Sequence, residues 1–139
     1  QMPFTPTPDF RGFANRAISE AVGRPWEPLG RGPDSFDCWG FVFWVFGKAG
    51  VKLPDYPYAE GEKRDELFNT VLGCEDWDHV PQQTPYSIVT FGRGVSTSHV
   101  GIYHPNGLYY HCVSGRGVCG DRYNAIRHAF NHIDYWYPA

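Results

Sequence analysis

Phe36-Asp37-Cys38-Trp39-Gly40-Phe41-Val42 opens the greasiest segment of the chain. Apolar residues continue through Phe46, on nearly every side of a helical wheel. That pattern predicts a helix from Cys38 to Lys48 in the middle of a domain, started by Ser35 or Asp37 and ended at Gly50. Cys38 then sits on the first turn. The N-terminal end of a helix dipole favours a thiolate over a thiol, and the thiolate is the nucleophile. A buried cysteine can equally be inert packing, so the rest of the chain has to decide.

Upstream, Gln1 to Pro8 reads as an extended arm, either docked on a neighbouring subunit or disordered. Asp9 is a candidate N-cap for a helix in which Phe10, Phe13, Ala14, Ala17, Ile18 and Ala21 recur at helical spacing. Gly23-Arg24-Pro25 stops it, and a loop runs from Pro25 to Asp34. Glu62 to Leu72 has the pattern of a third, amphipathic helix. From Tyr86 the texture changes to strands: Ser87–Phe91, Ser98–His104, Leu108–Val113, Val118–Tyr123 and Asp134–Tyr137. Helices first and sheet afterwards is the order of an α+β fold, N-terminal helices packed on a central antiparallel sheet.

The 139 residues suit a single domain, and 42% hydrophobic with 17% aromatic residues supply a core. A net charge of -3 leaves no basic footprint for nucleic acid. The run Trp39 to Phe46 is too short to cross a bilayer, so no membrane insertion is expected. Gln1 to Pro8 lacks the charged and apolar regions of a signal peptide, so delivery by another route is expected for a target outside the cytoplasm. Of the four cysteines, Cys38, Cys74, Cys112 and Cys119, none forms a C-x-x-C pair, so no structural zinc and no other cofactor is expected. Cys112 and Cys119 are spaced to bridge a short loop.

Ser98-His99-Val100-Gly101-Ile102-Tyr103 places a histidine on a strand downstream of Cys38. Cysteine first and histidine later is the order of a papain-like thiol hydrolase. The third group follows from a turn. Pro105-Asn106-Gly107 suits a three-residue hairpin loop, with glycine in the left-handed position. An odd loop pairs residues of equal parity, so His99 and His111 share a face of adjacent strands. A two-residue turn would set them on opposite faces. Cys38 as nucleophile, His99 as base and acid, and His111 as the group that orients His99 complete a relay, with the backbone N–H of Cys38 and a side chain meeting the oxyanion. His79, His104, His128 and His132 read as surface or loop residues. Asp121 and Asp134 are conceivable orienting groups without a geometric argument.

At these residues the sequence resembles the NlpC/P60 family of cysteine peptidases. The resemblance rests on Gly23-Arg24-Pro25-Trp26, Asp37-Cys38-Trp39-Gly40-Phe41-Val42, Gly50-Val51-Lys52-Leu53-Pro54, Pro85-Tyr86-Ser87, His99-Val100-Gly101-Ile102-Tyr103 and Tyr110-His111-Cys112. It implies the papain-like fold of that family and hydrolysis of the peptidoglycan stem peptide, typically between D-glutamate and diaminopimelate. Trp26 stands where the family has an oxyanion-assisting tyrosine, and an indole N–H also donates. Trp39 replaces a small serine, as a substrate contact or a core aromatic. Ser98, next to the base, is a further candidate for contact with the substrate or the oxyanion. Asp37 keeps an acidic residue that holds the free amine of the stem in relatives, and an N-cap role competes for it. Trp39, Leu53-Pro54-Asp55-Tyr56 and Gly30-Arg31 are similar to the phage-tail and gene-transfer-agent branch. That likeness implies a place at a virion tail tip or baseplate, with other tail proteins as partners. A catalytically silent tail component and a delivered toxin amidase are the rival readings.

Overall fold

The computed structural model describes residues 3–56, 76–94 and 96–139. The elements are α1 (Pro8–Ala21), α2 (Cys38–Lys48), β1 (Trp77–Val80), β2 (Ile88–Arg93), β3 (Ser96–Tyr103), β4 (Leu108–Val113), β5 (Gly117–Arg122), α3 (Tyr123–Ala129) and β6 (His132–Pro138). The strands form one antiparallel sheet in the order β1-β6-β2-β3-β4-β5. The expected α+β architecture is present. The helix expected over Glu62–Leu72 lies outside the described residues.

Side chains alternate across the sheet, so each strand serves two cores. Ile88, Val100, Ile102, Cys112 and Val118 face α1 and α2, where Phe10, Phe36, Phe41 and Phe46 fill the space. Val89, Phe91, Tyr103, Tyr109 and Tyr135 face the other way and are covered by Ile126 of α3. Burial on both faces explains why β2 reads as a nearly continuous apolar run.

α1 is capped by Thr7, whose hydroxyl accepts the N–H of Phe10 at 3.1 Å, and not by Asp9, which lies in the first turn. Phe13 is 48% exposed despite its helical spacing, and the Arg16 guanidinium lies over its ring. The N-terminal arm packs on this chain's own core: Phe4 meets the rings of Phe10, Phe46 and Tyr137. Cys112 and Cys119 are both free thiols. They cannot bridge, because Cys112 pairs with Val118 and Cys119 with His111, which puts the two cysteines on opposite faces.

α2 runs from Cys38 to Lys48 with Asp37 as its N-cap; Asp37 Oδ1 accepts the Gly40 N–H at 2.6 Å. The loop before it crosses so close that a Cβ on Gly40 would overlap the carbonyl oxygen of Gly30. Gly40→Ala therefore forces loop and helix apart and is expected to cost about 3 kcal/mol, read as a lower midpoint in urea unfolding.

His104 is a structural residue as well as a loop residue. Its Nε2 donates to Asn15 Oδ1 on α1 at 2.8 Å, and its Nδ1 accepts the Asn106 N–H at 3.0 Å. Burial holds its pKa below the ordinary 6.5, the Asn106 contact opposing. Burial does the same to His111. Below an unfolded pKa near 6.5 the unfolded chain binds protons that the folded chain refuses, so stability falls as pH drops through that region. Urea midpoints are expected to decline from pH 7 to pH 5, and His104→Gln is expected to flatten part of that slope.

Candidate active site

α2 packs on β3 and β4. Its first residue, Cys38, is 1% exposed and lies at the junction of helix and sheet. The segment leading into it is fixed by two short bridges: Phe36 pairs with Trp26 and with Arg31. Arg31 then ties the surroundings together. Its guanidinium donates to Asp37 Oδ1 at 2.8 Å, to Asp55 Oδ1 at 2.9 Å and to the Tyr56 carbonyl at 3.0 Å. Asp37 is thus both the helix cap and the partner of Arg31.

The β3–β4 hairpin has the three-residue loop read from Pro105-Asn106-Gly107, with Gly107 at φ 88°. Gly101 pairs with His111 and Tyr103 with Tyr109, so His99 and His111 are diagonal neighbours on one face. His99 Nε2 and His111 Nδ1 are 2.8 Å apart. A bulge assists: Phe91 pairs with His99 but Gly92 with Thr97, so Ser98 is the extra residue. His99 packs against Phe91 at 5.4 Å and against Phe130, stacked at 5.8 Å, two rings that also touch each other.

The chain of contacts continues beyond His111. His111 Nε2 lies 2.7 Å from Asp121 Oδ2, and Arg116 grips both oxygens of Asp121 at 3.0 Å each. Arg116, with His111 helping against burial, holds the Asp121 carboxyl below the usual carboxylate range. An ionised carboxylate only accepts hydrogen bonds. His111 Nε2 must therefore carry a proton. Burial lowers the pKa of His111, so its Nδ1 is left as an acceptor. That acceptor draws the Nε2–H of His99, and the neutral His99 ring then has its lone pair on Nδ1. One carboxylate on β5 thus sets the tautomer of two histidines.

A cleft of about 390 Å³ brings Trp26, Ser98, His99, His111, Asp121 and Phe130 together. Cys112 also lines it, and Cys112 feels the charge of Cys38. Burial, and then Cys38, push the Cys112 thiol up to about 12, and the thiol donates to the Phe36 carbonyl at 3.2 Å. Cys112 is therefore a neutral neighbour of Cys38. Trp39 is not brought to the cleft. It is 3% exposed, its indole N–H donates to the Pro54 carbonyl at 3.0 Å, and it packs on Tyr56 and Trp77. A larger hollow of about 890 Å³, lined by His79, Arg127, Asp134 and Tyr135 among others, shares only Phe130 with the cleft.

The sequence profile of the NlpC/P60 family matches residues 23–132. The chain belongs to the NlpC/P60 family. It is 34% identical over 93 residues to a probable endopeptidase p60 of Listeria innocua, a match covering 65% of this chain and 18% of that protein. It is 32% identical over 114 residues to a probable endopeptidase of Mycobacterium bovis, covering 79% of this chain and 26% of that one. This NlpC/P60 chain therefore spans a minor part of the length of those relatives. Among solved structures, the NlpC/p60 domain of the peptidoglycan hydrolase SagA superposes with a TM-score of 0.63 at 18% identity, covering 92% of this chain and 97% of that domain. At that identity the likeness is one of fold. No helix among the described residues is long and apolar enough to cross a membrane.

Sequence reasoning missed Arg116 and Phe130 in this NlpC/P60 site and named Asp121 only as a conceivable orienting group. A signal for Asp121 was present. Ser114-Gly115-Arg116 is a second three-residue loop, with Val113 paired to Gly117, so Asp121 shares the face of His111 by the same parity argument that joined His111 to His99.

Proposed function

We propose that this chain is a cysteine endopeptidase that cleaves the stem peptide of peptidoglycan. The observation that carries the proposal is the line from His99 through His111 to Asp121, in a cleft beside the helix headed by Cys38. The tautomers assigned by Asp121 put the basic lone pair of His99 on Nδ1, the ring nitrogen opposite the His111 contact. In the reaction Cys38 gives its thiol proton to that Nδ1, and the sulfur attacks the scissile carbonyl. The imidazolium formed on His99 is stabilised through His111 by the carboxylate behind it. The backbone N–H of Cys38, on the first turn of α2, and the indole N–H of Trp26 are the donors proposed for the oxyanion. His99 returns the proton to the leaving amine as the C–N bond breaks. Water, deprotonated by His99, then releases the acyl group from Cys38.

Names of relatives support the substrate. Two are probable endopeptidases, and the fold is shared with a peptidoglycan hydrolase. The bond between D-glutamate and diaminopimelate is the finer proposal, with Asp37 and Ser98 beside the bound peptide. A phage or gene-transfer-agent tail tip as the site of action is a further proposal. It rests on the resemblance carried by Gly30-Arg31, Trp39 and Leu53-Pro54-Asp55-Tyr56, residues that lock to one another here through Arg31 and Trp39. Digestion of purified peptidoglycan with mass spectrometry of the released fragments tests the activity. Fragments with a new D-glutamate carboxyl terminus are expected. An undigested wall, or fragments cut only in the glycan, would sink the proposal.

A further inference from the structure

Three donors of different chemistry meet at the far end of the relay from His99. The Nε2 of His111, the Sγ of Cys119 and a carboxylate oxygen of Asp121 all lie within 4.8 Å of one another. Cys119 is paired across the ladder with His111, and Asp121 is two residues further along the same face of β5. Thiolate, imidazole and carboxylate together are a ligand set that zinc favours over calcium or magnesium. Zinc bonds of about 2.0–2.3 Å place tetrahedral donors roughly 3.5 Å apart, within reach of small side-chain adjustments. Access is open from the cleft, because Asp121 and Arg116 line it and the Arg116 side chain is 54% exposed. Arg116 occupies the carboxylate in the structure, and its exposed guanidinium can swing out as a metal enters.

We propose that His111, Cys119 and Asp121 form an inhibitory site for Zn²⁺, with water as the fourth ligand. The proposal rests on the catalytic reading above for its effect and on these three side chains alone for binding. The inhibition follows from proton positions. Zn²⁺ takes the Nε2 lone pair of neutral His111, whose ring proton moves to Nδ1. His111 Nδ1–H then donates to Nε2 of His99, and His99 must carry its own proton on Nδ1. That is the atom that has to receive the proton of Cys38. Cys119 loses its thiol proton to solvent as the Zn–S bond forms. The metal blocks the enzyme without touching the nucleophile, by reversing both tautomers that Asp121 sets.

The test uses the whole chain and two metal probes. Hydrolysis of purified peptidoglycan is measured against free Zn²⁺ for the wild type and Cys119→Ser. Co²⁺ binding is followed by thiolate-to-metal charge-transfer absorption in the wild type, Cys119→Ser and Cys38→Ala. Cys119→Ser is expected to hydrolyse normally without metal and to need about tenfold more Zn²⁺, or higher, for half inhibition. The cobalt–thiolate band is expected to survive Cys38→Ala and to vanish in Cys119→Ser. Inhibition unchanged in Cys119→Ser, or a band lost with Cys38 instead, would place the metal on the nucleophile and overturn the proposal. A wild type that shows the Cys119-dependent band but no hydrolysis would keep the metal site and reject the catalytic reading. Hydrolysis with no such band would do the reverse.

Discussion

Replacing Cys38 by alanine is expected to remove peptidoglycan hydrolysis, by about 10⁴-fold or more, because in the proposed reaction its sulfur carries the acyl intermediate. Cys112, its thiol neighbour, is held as a neutral thiol with a pKa pushed up to about 12 and is committed to the Phe36 carbonyl. Cys119 sits on β5 rather than on the first turn of α2, so it lacks the helix N-terminus proposed to stabilise the thiolate and the oxyanion, and burial holds its thiol above the ordinary pKa. Neither can substitute. The fold should barely notice the change, since one sulfur atom is lost at the end of a helix whose cap, Asp37, is untouched; a cost near 1 kcal/mol is expected. Peptidoglycan turnover and urea unfolding, measured on the same preparation, check both halves. Retained turnover would mean that the chemistry lies elsewhere.

Asp121→Asn should be the next most damaging change, although Asp121 touches no substrate in the proposed reaction. Arg116 donates to both carboxylate oxygens. In the variant it retains the one oxygen that remains, which turns the amide NH₂ toward His111. A donor there requires the lone pair of His111 on Nε2 and its proton on Nδ1. His99 is then forced into the tautomer that cannot accept the thiol proton. A fall in kcat of about 10³-fold is expected, with KM little changed, because orientation of the base and not substrate binding is lost. Asp121→Glu, which keeps an acceptor, should recover part of the rate. A variant with KM raised and kcat intact would assign Asp121 to substrate binding instead.

Much of this site was legible in residue order. The greasy run after Cys38 fixed α2 to its terminal residues, and Asp37 could be read as its cap. Pro105-Asn106-Gly107 predicted the loop that joins His99 to His111. What escaped depends on contacts distant in sequence. α3 has seven residues, one of them buried, and its N-cap, Arg122, makes no side-chain cap, so neither periodicity nor a start signal marks it. It nevertheless carries the chain into Phe130, which stacks on His99. β1 is a four-residue edge strand with two exposed polar positions, and its partner β6 comes last in the chain yet lies between β1 and β2. Trp39 illustrates a different limit. Its position beside the nucleophile is equally consistent with cleft and core, and only the Pro54 carbonyl that its indole reaches decides for the core.

In the proposed reaction Cys38 forms a covalent bond to the substrate acyl group. The most direct measurement is an acid quench of the wild-type chain during digestion of a soluble muropeptide, followed by peptide mapping by mass spectrometry. A transient acyl mass is expected on the peptide that contains Cys38, and none on those containing Cys112 or Cys119. Product formed at full rate with Cys38 unmodified at every time point, or an adduct on another residue, would contradict it.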